Sequence, residues 1–471
     1  MSSSKTISHI QDLKKAGVSQ EDIRAPFLNR VHERNAALNA LLDIHEKPLP
    51  QPEDYAISSP LNGVPAVLKD NLLLQDHKTT AGSKMLENYI ASYDAHVTKK
   101  LRHAGVDIIG KGNLDEFAMG ASGENSAFGP TRNPHDESRV AGGSSSGSAA
   151  AVASGMAVFA LGSDTGGSIR CPASYCGIVG VKPTYGRVSR HGLVAMASSL
   201  DQIGPLANTV EDAAHVLHAI AGRDPMDATS ADIPVPDYAA EMKKDIKGLR
   251  VAVPKEFFGP GLDPKTKPLI EAAIKKLESL GAIVSEVSLP MTDYAIATYY
   301  IIVPSEVSSN LARFDGIRYG MSQGREKDLQ EVYTKTRELG FGEEVRRRII
   351  LGTFVLSAGY YDAYYLKAQK VRTLARESFD AIFKDHDIIV GPVTPSIAPK
   401  VGEIADPVSM YLADIFTVQA NLAGTPALSM PCGTIDVEGK KMPVGFQIMA
   451  NHFDESTMFR AAYALEQELK I

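Results

Sequence analysis

Residues 142–170 constrain the fold of this chain more than any other stretch. They read GGSSSGSAAAVASGMAVFALGSDTGGSIR, which is a Gly/Ser loop, an Ala-rich segment, a short apolar run and a second Gly/Ser loop. Alanine favours helix, and a short apolar run bounded by glycines fits a buried strand. The pattern therefore predicts a helix at 149–153 and a strand at 156–161, with a serine-rich loop on either side.

The second loop, DTGGS at 164–168, has the composition of an oxyanion-binding turn. A glycine-rich turn can aim successive backbone N–H groups into one space, and a hydroxyl beside it can be a nucleophile. A linker and a phosphate-binding loop are the alternatives. The phosphate-binding loop needs a lysine followed by Ser or Thr, whereas 146–149 read SGSA. Two such loops around one helix and strand favour a catalytic site over a linker.

Both loops, together with CGIVGVKPT at 176–184, resemble the signature of the amidase signature family of serine hydrolases. The resemblance implies an α/β fold, the amidase signature fold, in which helices cover both faces of a large mixed β-sheet. It also implies a Ser-Ser-Lys triad, in which Ser168 is the nucleophile that forms the acyl ester, Ser144 relays its proton and Lys69 is the general base. The separations of 75 residues from Lys69 to Ser144 and 24 from Ser144 to Ser168 match the family.

The resemblance further implies an oxyanion hole and a cis peptide bond. The Gly143–Ser144 bond would be cis and would turn the Ser144 hydroxyl between its two partners. The oxyanion hole would be formed by the backbone N–H groups of Thr165, Gly166, Gly167 and Ser168.

A lysine can replace histidine as the base only if it is neutral near pH 7. Neither loop contains a histidine, and the serine hydroxyl must lose its proton as it attacks. The usual lysine pKa is about 10.4, so a decrease of roughly 3 units is needed, which burial of the ammonium can supply. Lys69 follows an apolar run at 64–68, as expected at the end of a buried strand. The alternative is a surface lysine that buries only its aliphatic stem.

Composition excludes several other classes of protein. The 471 residues carry a net charge of −7, which gives no basic surface for nucleic acid. No apolar run reaches the roughly 18 residues of a membrane span, and the N-terminal residues lack a signal-peptide core. Three cysteines, Cys171, Cys176 and Cys432, are too few for a disulfide framework. We therefore expect buried thiols, no metal site and a cytoplasmic location.

Alternating helix and strand patterns predict a single amidase domain over 1–471. The segment 182–205 has a loop-like composition, and nine of the 17 tyrosines lie between Tyr294 and Tyr365. Such a tyrosine-rich helical segment is expected of a cap or a partner-binding surface, with a helical core as the alternative. Within the domain we expect a helical outer layer at 1–60, a signature core at 61–225, a helical insertion or cap at about 290–385, and a return to the core at 386–471.

Two further stretches resemble one branch of the family, the glutamine-hydrolysing subunits of tRNA-dependent amidotransferases. They are SEVSSNLARFDGIRYG at 305–320 and RRIILGT at 347–353, with GYYDAY following at 359–364. The resemblance implies a heterotrimer with B and C subunits, in which this chain hydrolyses glutamine and supplies ammonia. It implies no cofactor in this chain, because ATP, Mg²⁺ and most contacts to Glu-tRNA(Gln), or Asp-tRNA(Asn), belong to the B subunit.

Free glutamine requires partners for an α-ammonium and an α-carboxylate as both leave water. An arginine binds a carboxylate bidentately and an aspartate suits the ammonium. By resemblance these roles match Arg348 and Asp414, with Arg347 as an alternative arginine and a solvated basic helix face as an alternative function for the run 346–348. A stand-alone amidase for small or fatty amides would not need this pair. A non-enzymatic scaffold is disfavoured, because all three triad positions are filled.

Overall fold

The computed structural model describes residues 6–325, 328–404 and 406–469. Residues 1–5, 326–327, 405 and 470–471 of the predicted domain lie outside the described residues. Across the described ranges, no helix combines the length and the apolar character that a membrane crossing requires.

The described residues form thirteen strands and fifteen α-helices. The strands are β1 (Leu41–Ile44), β2 (Pro65–Lys69), β3 (Asp107–Gly112), β4 (Arg132–Asn133), β5 (Asp136–Val140), β6 (Phe159–Asp164), β7 (Val179–Lys182), β8 (Gln202–Ala207), β9 (Arg250–Pro254), β10 (Ile283–Val287), β11 (Ile388–Pro392), β12 (Ala427–Val437) and β13 (Lys440–Ala450). The helices are α1 (Ile7–Lys15), α2 (Gln20–Leu38), α3 (His96–His103), α4 (Ser146–Ser154), α5 (Arg170–Cys176), α6 (Val210–Ile220), α7 (Tyr238–Glu241), α8 (Lys267–Ser279), α9 (Thr292–Asn310), α10 (Leu329–Gly340), α11 (Glu343–Val355), α12 (Lys367–Asp385), α13 (Pro407–Tyr411), α14 (Val418–Ala423) and α15 (Glu455–Leu469).

Eleven of the described strands form one mixed sheet. Their order is β1-β3-β2-β6-β8-β7-β12-β13-β11-β9-β10, and β4 and β5 form a separate ribbon. Strands β3, β2 and β6 are mutually parallel, as are β11, β9 and β10, and antiparallel pairs join these two groups. The predicted α/β fold, a large mixed sheet covered on both faces by helices, is confirmed.

The centre of the parallel group places two functional positions at one edge of the sheet. Every residue of β2 and β6 is buried, as expected of parallel strands covered on both faces. Parallel strands finish at the same edge, so Lys69 at the end of β2 and Asp164 at the end of β6 lie at that edge. Loops beyond this edge are the usual place for a site in such sheets.

The signature stretch folds in the predicted order. Helix α4 covers the predicted Ala-rich segment, and β6 begins somewhat later than predicted and continues through Gly162 and Ser163 to Asp164. Its alanines and serines allow α4 to be buried on nearly every side. The helix ends at Gly155, whose φ of +80° is the left-handed conformation that glycine accommodates.

Four strands of the sheet, β1, β7, β8 and β12, are not predicted by the sequence pattern. Strand β1 lies in the expected helical layer and is too short for a periodic signal, and it pairs antiparallel with β3 at the sheet edge. Strand β8 begins within the segment 182–205. The prediction of a loop is therefore wrong for the end of that segment. Strand β8 contains Gly204 and Pro205, and β12 contains Pro431 and Gly433 with an irregular register. Glycine and proline weaken the strand signal in both cases.

The tyrosine-rich part forms helices α9 to α12 and a short π-helix, Tyr361–Leu366. Its own apolar cluster joins α9 and α11 to Phe117 and Met196 of the preceding core. Tyr299 is buried, whereas the exposed large side chains of this part include Tyr294, Tyr360, Tyr361 and Tyr364. The tyrosines are therefore not mainly a helical core.

Candidate active site

Lys69 is completely buried at the end of β2 and contacts two serines. Its Nζ lies 2.8 Å from Ser144 Oγ and 2.9 Å from Ser163 Oγ, and it donates a hydrogen bond to the Ser163 carbonyl oxygen at 3.3 Å. A neutral amine has two N–H groups and one lone pair. If the N–H groups serve the two oxygens of Ser163, the lone pair faces the Ser144 hydroxyl. This is the geometry that proton transfer from Ser144 to Lys69 requires.

Burial lowers the pKa of Lys69 to about 7. The carboxylates of Asp115, Asp164 and Asp201 act in the opposite direction. Burial itself raises the pKa of Asp115 and of Asp201 to about 6. A substantial fraction of Lys69 is therefore neutral at pH 7. It can act as a base although neither serine loop contains a histidine.

The rate at which Ser168 reacts with a small uncharged electrophile should rise with pH through about 7 and then level. Only the neutral amine accepts a proton, and its fraction increases as the pH passes the pKa of Lys69. The reagent must be uncharged because burial raises the pKa of Asp414 to about 7, so its titration would alter glutamine binding over the same range. Acylation rates measured from about pH 5.5 to 9 check this. A flat or falling profile would exclude a lysine base.

Ser168 lies in the loop between β6 and α5 and is 7% exposed. The Ser145 N–H donates to the Ser168 carbonyl oxygen at 3.0 Å, which holds the two serine loops together. The structure thus joins Lys69 directly to Ser144, but within the described ranges it has no hydrogen bond between the hydroxyls of Ser144 and Ser168. The Gly143–Ser144 peptide bond is cis, as the family resemblance implies.

The predicted oxyanion loop presents unpaired backbone donors. In the part of the chain that the structure describes, the N–H groups of residues 165–168 donate no hydrogen bond. The Thr165 hydroxyl donates to Asp201 at 2.6 Å, and the Thr417 hydroxyl donates to the Gly166 carbonyl oxygen at 2.6 Å. These contacts fix the loop by its side chains and carbonyls and leave the N–H groups free for a ligand.

A buried ion pair fixes both ends of this loop. Arg170 donates to Asp164 through Nε and Nη2, each at 3.0 Å, and both side chains are fully buried. Asn421 and Gln447 extend the network, because Arg170 also donates to their side-chain oxygens at 2.6 and 2.7 Å. Although burial opposes ionisation, the Arg170 guanidinium holds the pKa of Asp164 at about 2. The loop that carries Ser168 is therefore anchored at each end.

Arg348 and Asp414 are both buried, and Asp414 lies against the Ser168 loop. A Cβ on Gly167 would lie 3.1 Å from Asp414 Oδ1, which places that carboxylate against the loop. Burial and then the Asp164 carboxylate raise the pKa of Asp414 to about 7, although Arg348 acts in the opposite direction. Arg348 is 3% exposed, whereas the side chain of Arg347 is 38% exposed and pairs with Glu343 and Glu344. Of the two arginines, the structure turns Arg348 inward.

Aromatic side chains hold Arg348 in place. Its guanidinium carbon lies 5.3 Å from the ring centre of Tyr300 and 5.5 Å from that of Tyr411, and the two rings stack at 3.9 Å. Arg348 Nε donates to Glu344 at 2.8 Å. Its two terminal nitrogens donate no hydrogen bond to any described residue. They are available to a carboxylate ligand.

The sequence pattern misses the residues that support the triad. These are Ser163, which contacts Lys69, Asn71, which donates to Ser163, and the network of Arg170, Asn421 and Gln447. Of these residues, only Ser163 and Arg170 lie inside the signature stretch. Ser163 could have been found from the sequence as a hydroxyl in an otherwise apolar, buried strand. The three cysteines are buried free thiols, as predicted.

Comparison with known proteins identifies the family. The family model described as Amidase matches residues 23–459 of this chain. The chain belongs to the amidase family.

Several relatives of this chain are A subunits of glutamyl-tRNA(Gln) amidotransferases. The chain is 53% identical to the one from Thermoanaerobacter pseudethanolicus over 99% of this chain and 96% of that protein. It is 60% identical to the one from Koribacter versatilis over 87% of this chain and 85% of the relative. The crystal structure of the one from Thermotoga maritima aligns with a TM-score of 0.82 at 44% identity, covering 98% and 94% of the two chains. A peptide amidase from Stenotrophomonas maltophilia aligns with a TM-score of 0.82 at 31% identity, covering 99% and 97%.

Proposed function

We propose that this chain is the glutaminase subunit of a glutamyl-tRNA(Gln) amidotransferase. It hydrolyses glutamine and supplies ammonia for converting Glu-tRNA(Gln), and also Asp-tRNA(Asn) where that substrate is present, to the amidated form. The observation that carries the proposal is that Asp414 lies buried against the loop of Ser168 and that Arg348, also buried, acts electrostatically on it. The identity of 53% and 60% to two proteins described as the A subunit of that enzyme supports it.

In the proposed reaction, a proton moves along the triad from Ser168 through Ser144 to Lys69 and later returns by the same path. Ser168 Oγ attacks the side-chain amide carbon of glutamine while Ser144 takes the Ser168 proton and passes its own to Lys69. The N–H groups of residues 165–168 stabilise the oxyanion. The proton then returns to the leaving nitrogen as ammonia departs, and water hydrolyses the glutamyl ester by the same relay. The 2.8 Å contact between Lys69 and Ser144 supports this order of transfers.

Glutamine is favoured over a neutral amide by the charges at the site. Arg348 is already compensated by Glu344, whereas a buried carboxylate at Asp414 costs free energy unless a ligand or a protein group compensates it. The α-ammonium of glutamine beside Asp414 would favour its ionised form, and the α-carboxylate would accept the two free terminal nitrogens of Arg348. Both groups would be remote from the amide that reacts.

The partner B and C subunits are expected at a surface with exposed aromatic side chains. Phe354 of α11, Tyr360 directly before the π-helix and Tyr364 within it form such a group, with the rings of Phe354 and Tyr360 4.3 Å apart. Aromatic residues are enriched in protein interfaces. ATP, Mg²⁺ and most tRNA contacts belong to the partner in this proposal, and the net charge of −7 supports that division. The buried free thiols are consistent with a cytoplasmic location.

Arg348→Ala and Asp414→Ala should each raise the KM for glutamine about ten- to hundredfold. Each substitution removes a charge-assisted contact of roughly 1.5 to 3 kcal/mol. Acylation of Ser168 by a small uncharged electrophile should change little, because neither group touches the reacting amide. Steady-state glutaminase kinetics of the assembled complex, with the acylation assay in parallel, measure both effects.

Arg347→Ala is the matched control, since it removes the adjacent and partly exposed arginine from the same helix. It should leave the KM for glutamine near the wild-type value. An unchanged KM in both Arg348→Ala and Asp414→Ala would remove the amino-acid clamp. Good turnover of uncharged amides with poor turnover of glutamine would instead identify a stand-alone amidase.

The direct test of the whole proposal is purification at native expression, followed by a glutaminase assay with and without the co-purifying chains. Two further chains and a glutaminase activity that depends on them are expected. A chain that purifies alone and is fully active alone would contradict the proposal.

A further inference from the structure

A second group of chemically reactive side chains lies outside the triad, at the edge of the sheet. Asp43 belongs to β1, His45 follows that strand directly, and His77 lies in the segment between β2 and α3. One candidate ligand atom from each of the three residues lies within 4.8 Å of the other two. The mechanism proposed above uses none of these residues.

The hydrogen bonding of His45 orients a lone pair into this group. His45 Nδ1 lies 3.0 Å from the Ile108 carbonyl oxygen, and a carbonyl can only accept, so Nδ1 carries a proton. Nε2 is then free to bind a metal, and this arrangement of one imidazole nitrogen on a carbonyl is typical of metal-ligating histidines. His45 is 6% exposed, and its Nε2 is buried without a hydrogen-bond partner among the described residues.

The space between the ligand atoms suits a cation. His45 Nε2 lies 3.5 Å from Asp43 Oδ2, which is longer than the roughly 2.7 to 2.9 Å of a charge-assisted hydrogen bond. His77 Nδ1 lies 3.9 Å from the same oxygen. Ligands about 2.0 to 2.1 Å from a tetrahedral zinc ion are about 3.3 Å from one another. A small closure of the His77 side chain, which is 29% exposed, would complete three ligand positions.

The lysine that acts electrostatically on Asp43, Lys111, does not occupy this position. Lys111 is buried, and its Nζ lies 2.9 Å from Asp70 Oδ1. It also donates to the Lys78 carbonyl oxygen and to Thr79 Oγ1, each at 3.2 Å. Its charge is therefore compensated by Asp70, and the Asp43 carboxylate faces the two imidazoles.

We propose that Asp43, His45 and His77 bind one zinc ion, with water as the fourth ligand. Two imidazole nitrogens and one carboxylate oxygen are a donor set that zinc favours, and partial exposure of Asp43 and His77 gives the ion a path from solvent. The ion would fasten edge strand β1 to the segment that follows Lys69. That segment is already tied to the site, because Thr80 N–H donates to Asp70 at 2.9 Å.

Zinc binding to tag-free, chelator-dialysed protein tests the site. Titration calorimetry with ZnCl₂ should give saturable binding of one ion per chain, and zinc should raise the Tm of the same sample. His77→Gln and Asp43→Asn should each weaken binding about 10- to 100-fold and abolish most of the Tm increase. MgCl₂ should have little effect, because magnesium prefers oxygen ligands.

His103→Gln is the matched control. His103 also has Nδ1 on a carbonyl oxygen, that of Lys99, and Nε2 near a carboxylate, 3.4 Å from Asp54, but it belongs to no three-ligand group among the described residues. The His103→Gln variant should bind zinc with the wild-type affinity. Absence of saturable binding, or equal affinity in wild type, His77→Gln and Asp43→Asn, would overturn the proposal. Because His77 and Asp43 are partly exposed, both variants are expected to fold, and their Tm without zinc checks this.

Discussion

Ser168→Ala is expected to reduce glutaminase activity of the assembled complex by at least about 10⁴-fold, because the variant has no nucleophile to form the glutamyl ester. Amidation of Glu-tRNA(Gln) with free ammonium as the nitrogen source should remain near the wild-type rate, since only the ammonia supply is lost. The measurement compares glutamine-dependent and ammonium-dependent amidation in the same preparation.

Ser154→Ala is the control, because it removes a buried serine hydroxyl that the proposed reaction does not use. Its hydroxyl donates to the Ala150 carbonyl oxygen at 2.7 Å, at the far end of α4 from the Ser144 loop. It should retain both activities. If ammonium failed to restore amidation in Ser168→Ala, the serine would be required for the structure of the complex and not for ammonia production.

Lys69→Arg should be almost as damaging as Lys69→Ala, with a loss of about 10²- to 10⁴-fold in glutaminase kcat. The charge is retained, but a guanidinium does not lose a proton at working pH and so cannot accept one from Ser144. Burial that lowers the pKa of Lys69 to about 7 has no equivalent effect on arginine. Glutaminase kinetics of both variants and of wild type provide the comparison.

Ammonium-dependent amidation serves as the control for folding of the Lys69 variants. Arginine is larger than lysine, and the site around Lys69 is fully buried. Amidation from ammonium at the wild-type rate would show that the complex is intact while glutamine hydrolysis is lost. Glutaminase activity of Lys69→Arg within about tenfold of wild type would exclude a neutral lysine as the base.

The sequence predicts the local elements of the site well, because their signals are short-range. Glycines, alanines and an apolar run are enough to place α4 and β6, and the apolar run before Lys69 places it at the end of β2. Resemblance to the family supplied the roles of Lys69, Ser144 and Ser168, which periodicity alone does not give. Their assignment as catalytic residues stays a prediction until the variants are measured.

Sequence alone does not decide between Arg347 and Arg348. Successive residues on an α-helix point about 100° apart, so two neighbouring arginines do not both face inward. Only packing determines which of the two does. In the structure, the Arg348 guanidinium lies beside the stacked rings of Tyr300 and Tyr411, and Arg347 pairs with glutamates at the surface. Tyr300 and Tyr411 are far from Arg348 in the chain, and no local pattern records that they meet.

The sequence by itself determined the order of loops, helix and strand around the signature, the buried free cysteines and the triad spacing. Tertiary structure decided which residues support these elements. They include Ser163, which contacts Lys69, and the network in which Arg170 donates hydrogen bonds to Asn421 and Gln447. It also placed β1 at the sheet edge beside β3 and brought His77 near Asp43. The physical reason is that periodicity and turn composition are properties of neighbouring residues, whereas buried polar partners are chosen by strands and helices that meet only when the sheet forms.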